Sequence, residues 1–184
     1  MKRLALNLAF LSFLGFGSVF YAQNTKENKT IPSNKEVTDV KKIASEEKAK
    51  LPKPYDPKAD AAEDIKKLIS KAKEENKNII LQAGGNWCIW CLRFNQFIQT
   101  TPELKEIVDN NFEYYHLNYS PENKNEKVFS QYNNPGEKCG YPVFIILNSH
   151  GELLHIQPSD VLEEGKGYSV DKVKEFLLSW TPTA

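Results

Sequence analysis

Apolar residues fall into three regimes along the chain. From Leu4 to Phe20 they run almost unbroken, from residue 24 to 57 they nearly vanish, and from Ala59 onward they recur with regular periods. In the third regime, Ala61, Ile65, Leu68, Ile69 and Ala72 share one helical face, and Asp60 followed by Glu63 fits a capping box at its start. Asn76-Lys77-Asn78 ends that helix. Ile79 to Ala83 is short, apolar and bounded by Gly84-Gly85, which predicts a buried central strand. A second helix runs through Leu92, Phe94, Phe97 and Ile98. A third opens at Thr101-Pro102, with Leu104, Ile107 and Val108 inward and Asn110-Asn111 as its break.

Phe112 to Asn118 predicts an aromatic-rich strand, followed by a polar stretch, Ser120 to Glu126, and a short pattern around Val128, Phe129 and Tyr132. Asn133-Asn134-Pro135-Gly136 predicts a turn. Val143 to Leu147 predicts a second buried strand, Asn148 to Gly151 a hairpin loop, and Leu153 to Ile156 the returning strand. Ser169 is placed to cap a last helix whose inner face is Val170, Val173, Phe176, Leu177 and Trp180. Helices alternate with strands and a hairpin follows, which predicts an α/β domain with one mixed sheet covered on both faces.

The first two regimes set the domain organisation. Met1-Lys2-Arg3, the apolar run and Ala22-Gln23 read as a secretory signal over residues 1–22, cleaved near Ala22. An uncleaved membrane anchor is the alternative, although the run is short against the roughly 20 residues a span needs. Residues 23–58 are rich in Lys, Glu, Asn and Pro and read as a polar, disordered linker, because such a stretch buries too little to offset its ordering entropy. The globular domain is then 59–184. Export to the periplasm, or secretion, implies a compartment that tolerates disulfides.

Charge narrows the function classes. The chain has 184 residues with 24 Lys plus Arg against 24 Asp plus Glu, so no basic excess points to nucleic acid. There are three cysteines, and the odd number excludes a fully paired intramolecular framework. One pair and one extra thiol is the simplest accounting.

The pair is Cys88 and Cys91, spaced C-x-x-C within Gly84-Gly85-Asn86-Trp87-Cys88-Ile89-Trp90-Cys91, where the central strand gives way to a helix. A cysteine that opens a helix faces unpaired N–H groups and the positive end of the helix dipole. This favours the thiolate, the attacking species in disulfide exchange. Cys91, one turn on, can close a disulfide with Cys88 or resolve a mixed one. The competing readings are a structural disulfide and a metal site made of Cys88, Cys91 and Cys139. No histidine lies near either cysteine motif, so no metal is expected. No nucleotide fingerprint is present, and no cofactor is expected.

Trp-Cys-x-x-Cys after a buried strand, with Gly140-Tyr141-Pro142 opening a core strand about fifty residues later, resembles the thioredoxin superfamily over roughly residues 59 to 180. The resemblance implies a thioredoxin-like fold, a central mixed β-sheet flanked by helices. It implies that Cys88 attacks and a more buried Cys91 resolves. Trp87, Tyr141 and Pro142 would then hold the substrate chain, with Pro142 in the cis form turning a backbone edge toward the sulfurs. Gln82 stands where thioredoxins carry a buried aspartate, and an amide cannot take a proton there. His116 lies near the place of a family lysine, and a satisfied strand histidine is its ordinary reading. Cys139 is read first as inert, with a third redox cysteine or an intermolecular link as alternatives.

These readings converge on an exported thiol–disulfide oxidoreductase, acting as a reductase through Cys88 and Cys91. Its expected partners are disulfide-containing client proteins and a membrane or periplasmic redox partner, and it is expected to be a monomer. The alternative, from another class, is a thioredoxin-fold binding module that holds clients or metal without redox turnover.

Overall fold

The computed structural model describes residues 42–43 and 45–183. The expected signal peptide and most of the expected linker lie outside the described residues. Four strands form the main sheet: β1 (Asn78–Gly84), β2 (Phe112–Asn118), β3 (Val143–Leu147) and β4 (Leu153–Pro158). Their order is β2-β1-β3-β4. β1 pairs parallel with β2 and antiparallel with β3, and β3 pairs antiparallel with β4. The sheet is therefore mixed, and β1 is one of its two inner strands, as a mainly apolar run interrupted only by Gln82 predicts for a strand covered on both faces.

Alternation along the strands divides the core in two. Ile79, Leu81 and Ala83 of β1, with Val143, Ile145 and Leu147 of β3, face α1 (Ala61–Glu75). Ile80, Phe144 and Ile146 point the other way, toward α2 (Ile89–Thr100) and α3 (Pro102–Asn111) and the last helix, α6 (Val170–Ser179). All five residues of β3 are buried. Local signals explain the helix limits. The Asp60 side chain accepts from the N–H groups of Ala62 and Glu63, and Asn76 closes α1 in the left-handed region with φ 51°. Thr101 and Ser169 occupy N-cap positions without a side-chain capping bond.

The segment between β2 and β3 contains two short helices, α4 (Glu126–Gln131) and α5 (Pro135–Cys139). Asparagine side chains knit the polar stretch ahead of them. Asn118 Nδ2 donates to the Asn123 carbonyl at 2.8 Å, and Asn125 Nδ2 donates to the Asn118 carbonyl at 2.8 Å. The expected turn at 133–136 is confined to its first half. Asn133 and Asn134 adopt positive φ, whereas Pro135 begins a helix, a position its fixed φ favours. Between β4 and α6 lies a small hairpin, β5 (Glu163–Glu164) with β6 (Gly167–Tyr168), too short to leave a sequence period.

The expected linker requires a correction at its C-terminal end. Residues 45–50 are helical, and Glu47 accepts a two-pronged bond from Arg93 at 2.7 and 2.6 Å. Tyr55 is only 2% exposed. An aromatic ring and an ion pair anchor this part on the domain, although most of its side chains stay exposed. Among the described residues no helix is long and apolar enough to cross a membrane.

Candidate active site

β1 ends at Gly84, and Cys88 is the N-cap of α2. Cys88 and Cys91 form a disulfide with a Cα–Cα distance of 5.3 Å. The Cys88 sulfur accepts the Cys91 backbone N–H at 3.1 Å, so one orphan donor of the helix start is spent on that sulfur. The Tyr141 carbonyl oxygen approaches the same sulfur from the other side, at 3.5 Å. Cys91 is fully buried, and Cys88 is 5% exposed, so Cys88 is the sulfur nearer the surface.

Glycine at 84 makes this packing possible. A Cβ built there would overlap the Cys91 sulfur and stand 3.1 Å from the Tyr55 hydroxyl. The Tyr141–Pro142 peptide bond is cis, and Pro142 is buried. Trp87 is 47% exposed beside the disulfide. Its indole N–H donates to the Tyr119 carbonyl at 2.6 Å, and its ring meets Tyr141 edge-on at 5.6 Å. Tyr141 stacks on Tyr119 at 5.2 Å, and burial pushes its phenol pKa up to about 12. Trp90 packs against the Tyr55, Cys88 and Cys91 cluster, edge-on to Tyr168 and beneath the Arg93 guanidinium.

Gln82 is fully buried on the α2 face of β1. Its Nε2 donates to the Cys91 carbonyl at 2.9 Å and to the Tyr55 hydroxyl at 2.7 Å. Its Oε1 accepts from the Tyr114 hydroxyl at 2.6 Å. Both amide N–H groups are therefore used, and the side chain ties two phenols to the backbone of the second cysteine. His116 pairs with Gln82 in the parallel register and contacts the rings of Tyr55 and Tyr114 at 5.2 and 5.3 Å. Its buried Nε2 has no hydrogen-bond partner, which corrects the expectation of a satisfied strand histidine. Desolvation lowers its pKa to about 4, so the ring is neutral at neutral pH. Cys139 is half-buried and unpaired, packed at the edge of the α1-side core. Among the described residues no group of three His, Cys, Asp or Glu side chains is placed to hold a metal ion.

Tyr55, Asn86, Tyr114 and Tyr119 are site neighbours that periodicity does not single out. For Tyr55 a signal exists: it is the lone aromatic between residues 23 and 58, flanked by Pro54 and Pro57.

Residues 60–149 match a family model described as thioredoxin-like. A disulphide isomerase from Xylella fastidiosa Temecula1 superimposes with a TM-score of 0.61. That match is 23% identical and covers 68% of this chain and 95% of that one. A DsbH oxidoreductase aligns at 20% identity over 61% of this chain and 78% of its own, with a TM-score of 0.45. No curated protein matches in sequence. With its mixed four-stranded sheet, flanking helices and a cysteine pair at the β1–α2 junction, the chain has a thioredoxin-like fold.

Proposed function

We propose that this chain is an exported thiol–disulfide oxidoreductase that reduces client proteins through Cys88 and Cys91. The observation that carries the reading is the setting of Cys88: its sulfur caps α2, accepts the Cys91 N–H at 3.1 Å and is the less buried of the pair. Helix N–H groups stabilise negative charge at that position, which favours a thiolate there after reduction. The Cys88 thiolate attacks a client disulfide. A Cys88–client bond forms, and the other client sulfur leaves as a thiolate. Cys91, as thiolate, then attacks Cys88. The Cys88–Cys91 bond forms, the mixed disulfide breaks, and the electron pair leaves on the second client sulfur, which takes up a proton. A periplasmic or membrane dithiol partner returns two electrons to the pair.

The exposed Trp87, with Tyr141 and Pro142, supplies the surface on which the client strand lies, and the Tyr141 backbone is the edge it pairs with. Export rests on the leader-like residues 1–22. Domain limits of 59–184 for the catalytic unit are widened here to about 45–184, because Glu47 and Tyr55 are anchored on it.

A redox equilibrium in glutathione buffers tests this, read by fluorescence of Trp87 and Trp90. A midpoint near about −270 mV supports a reductase, and one near about −120 mV would assign it to disulfide formation instead. If the pair does not cycle across that range, the chain is a binding module. In that case Cys88→Ser would still suppress aggregation of unfolded clients, whereas an oxidoreductase loses its activity with this change.

A further inference from the structure

Tyr55 reaches the site from the stretch ahead of α1. It forms one buried cluster with Cys88 and Cys91. Its backbone is held from both sides by Asn86: the Tyr55 N–H donates to Oδ1 at 3.2 Å, and Nδ2 donates to the Tyr55 carbonyl at 2.7 Å. Asn86 lies two residues before Cys88, so the loop that carries the first cysteine also fixes the phenol.

A count of protons around Gln82 assigns the direction of each bond. The Cys91 carbonyl can only accept, so the group facing it at 2.9 Å must be the amide nitrogen. Its Oε1 then takes the Tyr114 proton at 2.6 Å, and its second N–H goes to the Tyr55 oxygen at 2.7 Å. The Tyr55 hydroxyl therefore accepts from Gln82 and keeps its own proton to give. That hydroxyl and the Cys91 sulfur both pack against Gly84, where an added Cβ would overlap the sulfur and stand 3.1 Å from the hydroxyl. Among the described residues no oxygen or nitrogen accepts the Tyr55 proton. Burial raises the phenol pKa well above its ordinary value, so the group stays protonated and remains a donor.

We propose that the Tyr55 hydroxyl donates a hydrogen bond to the Cys91 sulfur in the reduced protein and stabilises the thiolate that resolves the mixed disulfide. The inference deepens the oxidoreductase reading and rests on it for the resolving step. Gln82 cannot accept the Cys91 proton. In this scheme that proton passes to the client thiolate released in the first exchange. Tyr55 transfers nothing: its proton stays on oxygen while the negative sulfur forms. Gln82 and Tyr114 hold the phenol oxygen in place, which makes them positioning residues.

The test isolates Cys91 in the full chain carrying Cys88→Ala and Cys139→Ser. Thiolate ultraviolet absorbance is titrated with and without Tyr55→Phe. A hydrogen bond to a charged group of ordinary strength predicts that Tyr55→Phe raises the Cys91 pKa by about one unit, a roughly tenfold loss of thiolate at fixed pH. With both cysteines restored, the mixed disulfide should persist about threefold longer, because the tenfold loss of thiolate is partly offset by its greater nucleophilicity, with the rate of Cys88 alkylation unchanged. Site-specific fluorotyrosine at position 55 is the second variant. It retains the ring and strengthens the donor, so it should lower the Cys91 pKa, a shift that a purely structural role would not produce. An unmoved titration in either folded variant overturns the proposal. Neither titration needs a client or turnover. Failure of the pair to cycle in glutathione would sink the oxidoreductase reading separately.

Discussion

Acidification should strip stability from this protein through His116, in a window set by its burial. The ring lies between Tyr55 and Tyr114, its Nε2 has no partner, and desolvation lowers its pKa from 6.5 to about 4. Between those values the unfolded chain binds a proton that the folded chain refuses. Stability contributed by the neutral ring is fully present above pH 6.5 and is lost as pH falls toward about 4. One pKa unit corresponds to about 1.4 kcal/mol, so the full window is worth at most about 3.5 kcal/mol, a large share of a small domain's total stability of about 5–15 kcal/mol. The assay is urea denaturation at stepped pH for the wild type and for His116→Phe, which removes the titrating group and its orphaned nitrogen. Subtracting the two curves cancels the carboxylates, among them Glu47, Glu75 and Glu122, whose lowered pKa values put their own losses further into acid. The difference should slope at up to about 1.4 kcal/mol per pH unit inside the window and level off outside it. A flat difference would mean that His116 titrates as it does in the unfolded chain, and the desolvation argument would be refuted.

Gly84→Ala should cost about 1–3 kcal/mol, because its methyl group overlaps the Cys91 sulfur and crowds the Tyr55 hydroxyl. Denaturation of the oxidised and reduced forms measures it, and an unchanged midpoint in both would disprove the packing argument. A chain beginning at residue 59 should be less stable than one beginning at residue 45 by about 3–5 kcal/mol, the usual cost of deleting a buried aromatic, since Tyr55 is 2% exposed. Equal urea midpoints for the two chains would restore the linker reading for residues 45–58. Glu47→Ala should cost only about 0.5–1 kcal/mol, because its two-pronged bond with Arg93 is partly open to solvent and screened by salt. A thermal melt at low and high salt reads that difference, which should shrink as salt rises.

What could be read from the residues was what short-range pattern encodes. The apolar run of β1, the capping Asp60 and the C-x-x-C at a helix start each report on neighbours within one or two turns, and each is found where its pattern puts it. The chemistry around Cys91 is of another kind. Tyr55 is held at the site by Asn86, 31 positions later, and by Gln82, 27 positions later, and a polar, lysine-rich context conceals both. His116 faces Gln82 only through the parallel register of β1 and β2, and periodicity yields a strand without naming its neighbour. Gln82 shows why the distinction matters. In sequence it is a lost proton acceptor. In the fold its two ends are divided between phenols from two distant segments, so the amide that cannot accept a proton orients a hydroxyl that can donate one. An acidic group at the second cysteine is then unnecessary if a neutral donor stabilises the sulfur's charge, and the side chain to alter first is Tyr55, from a segment whose composition marks it as spacer.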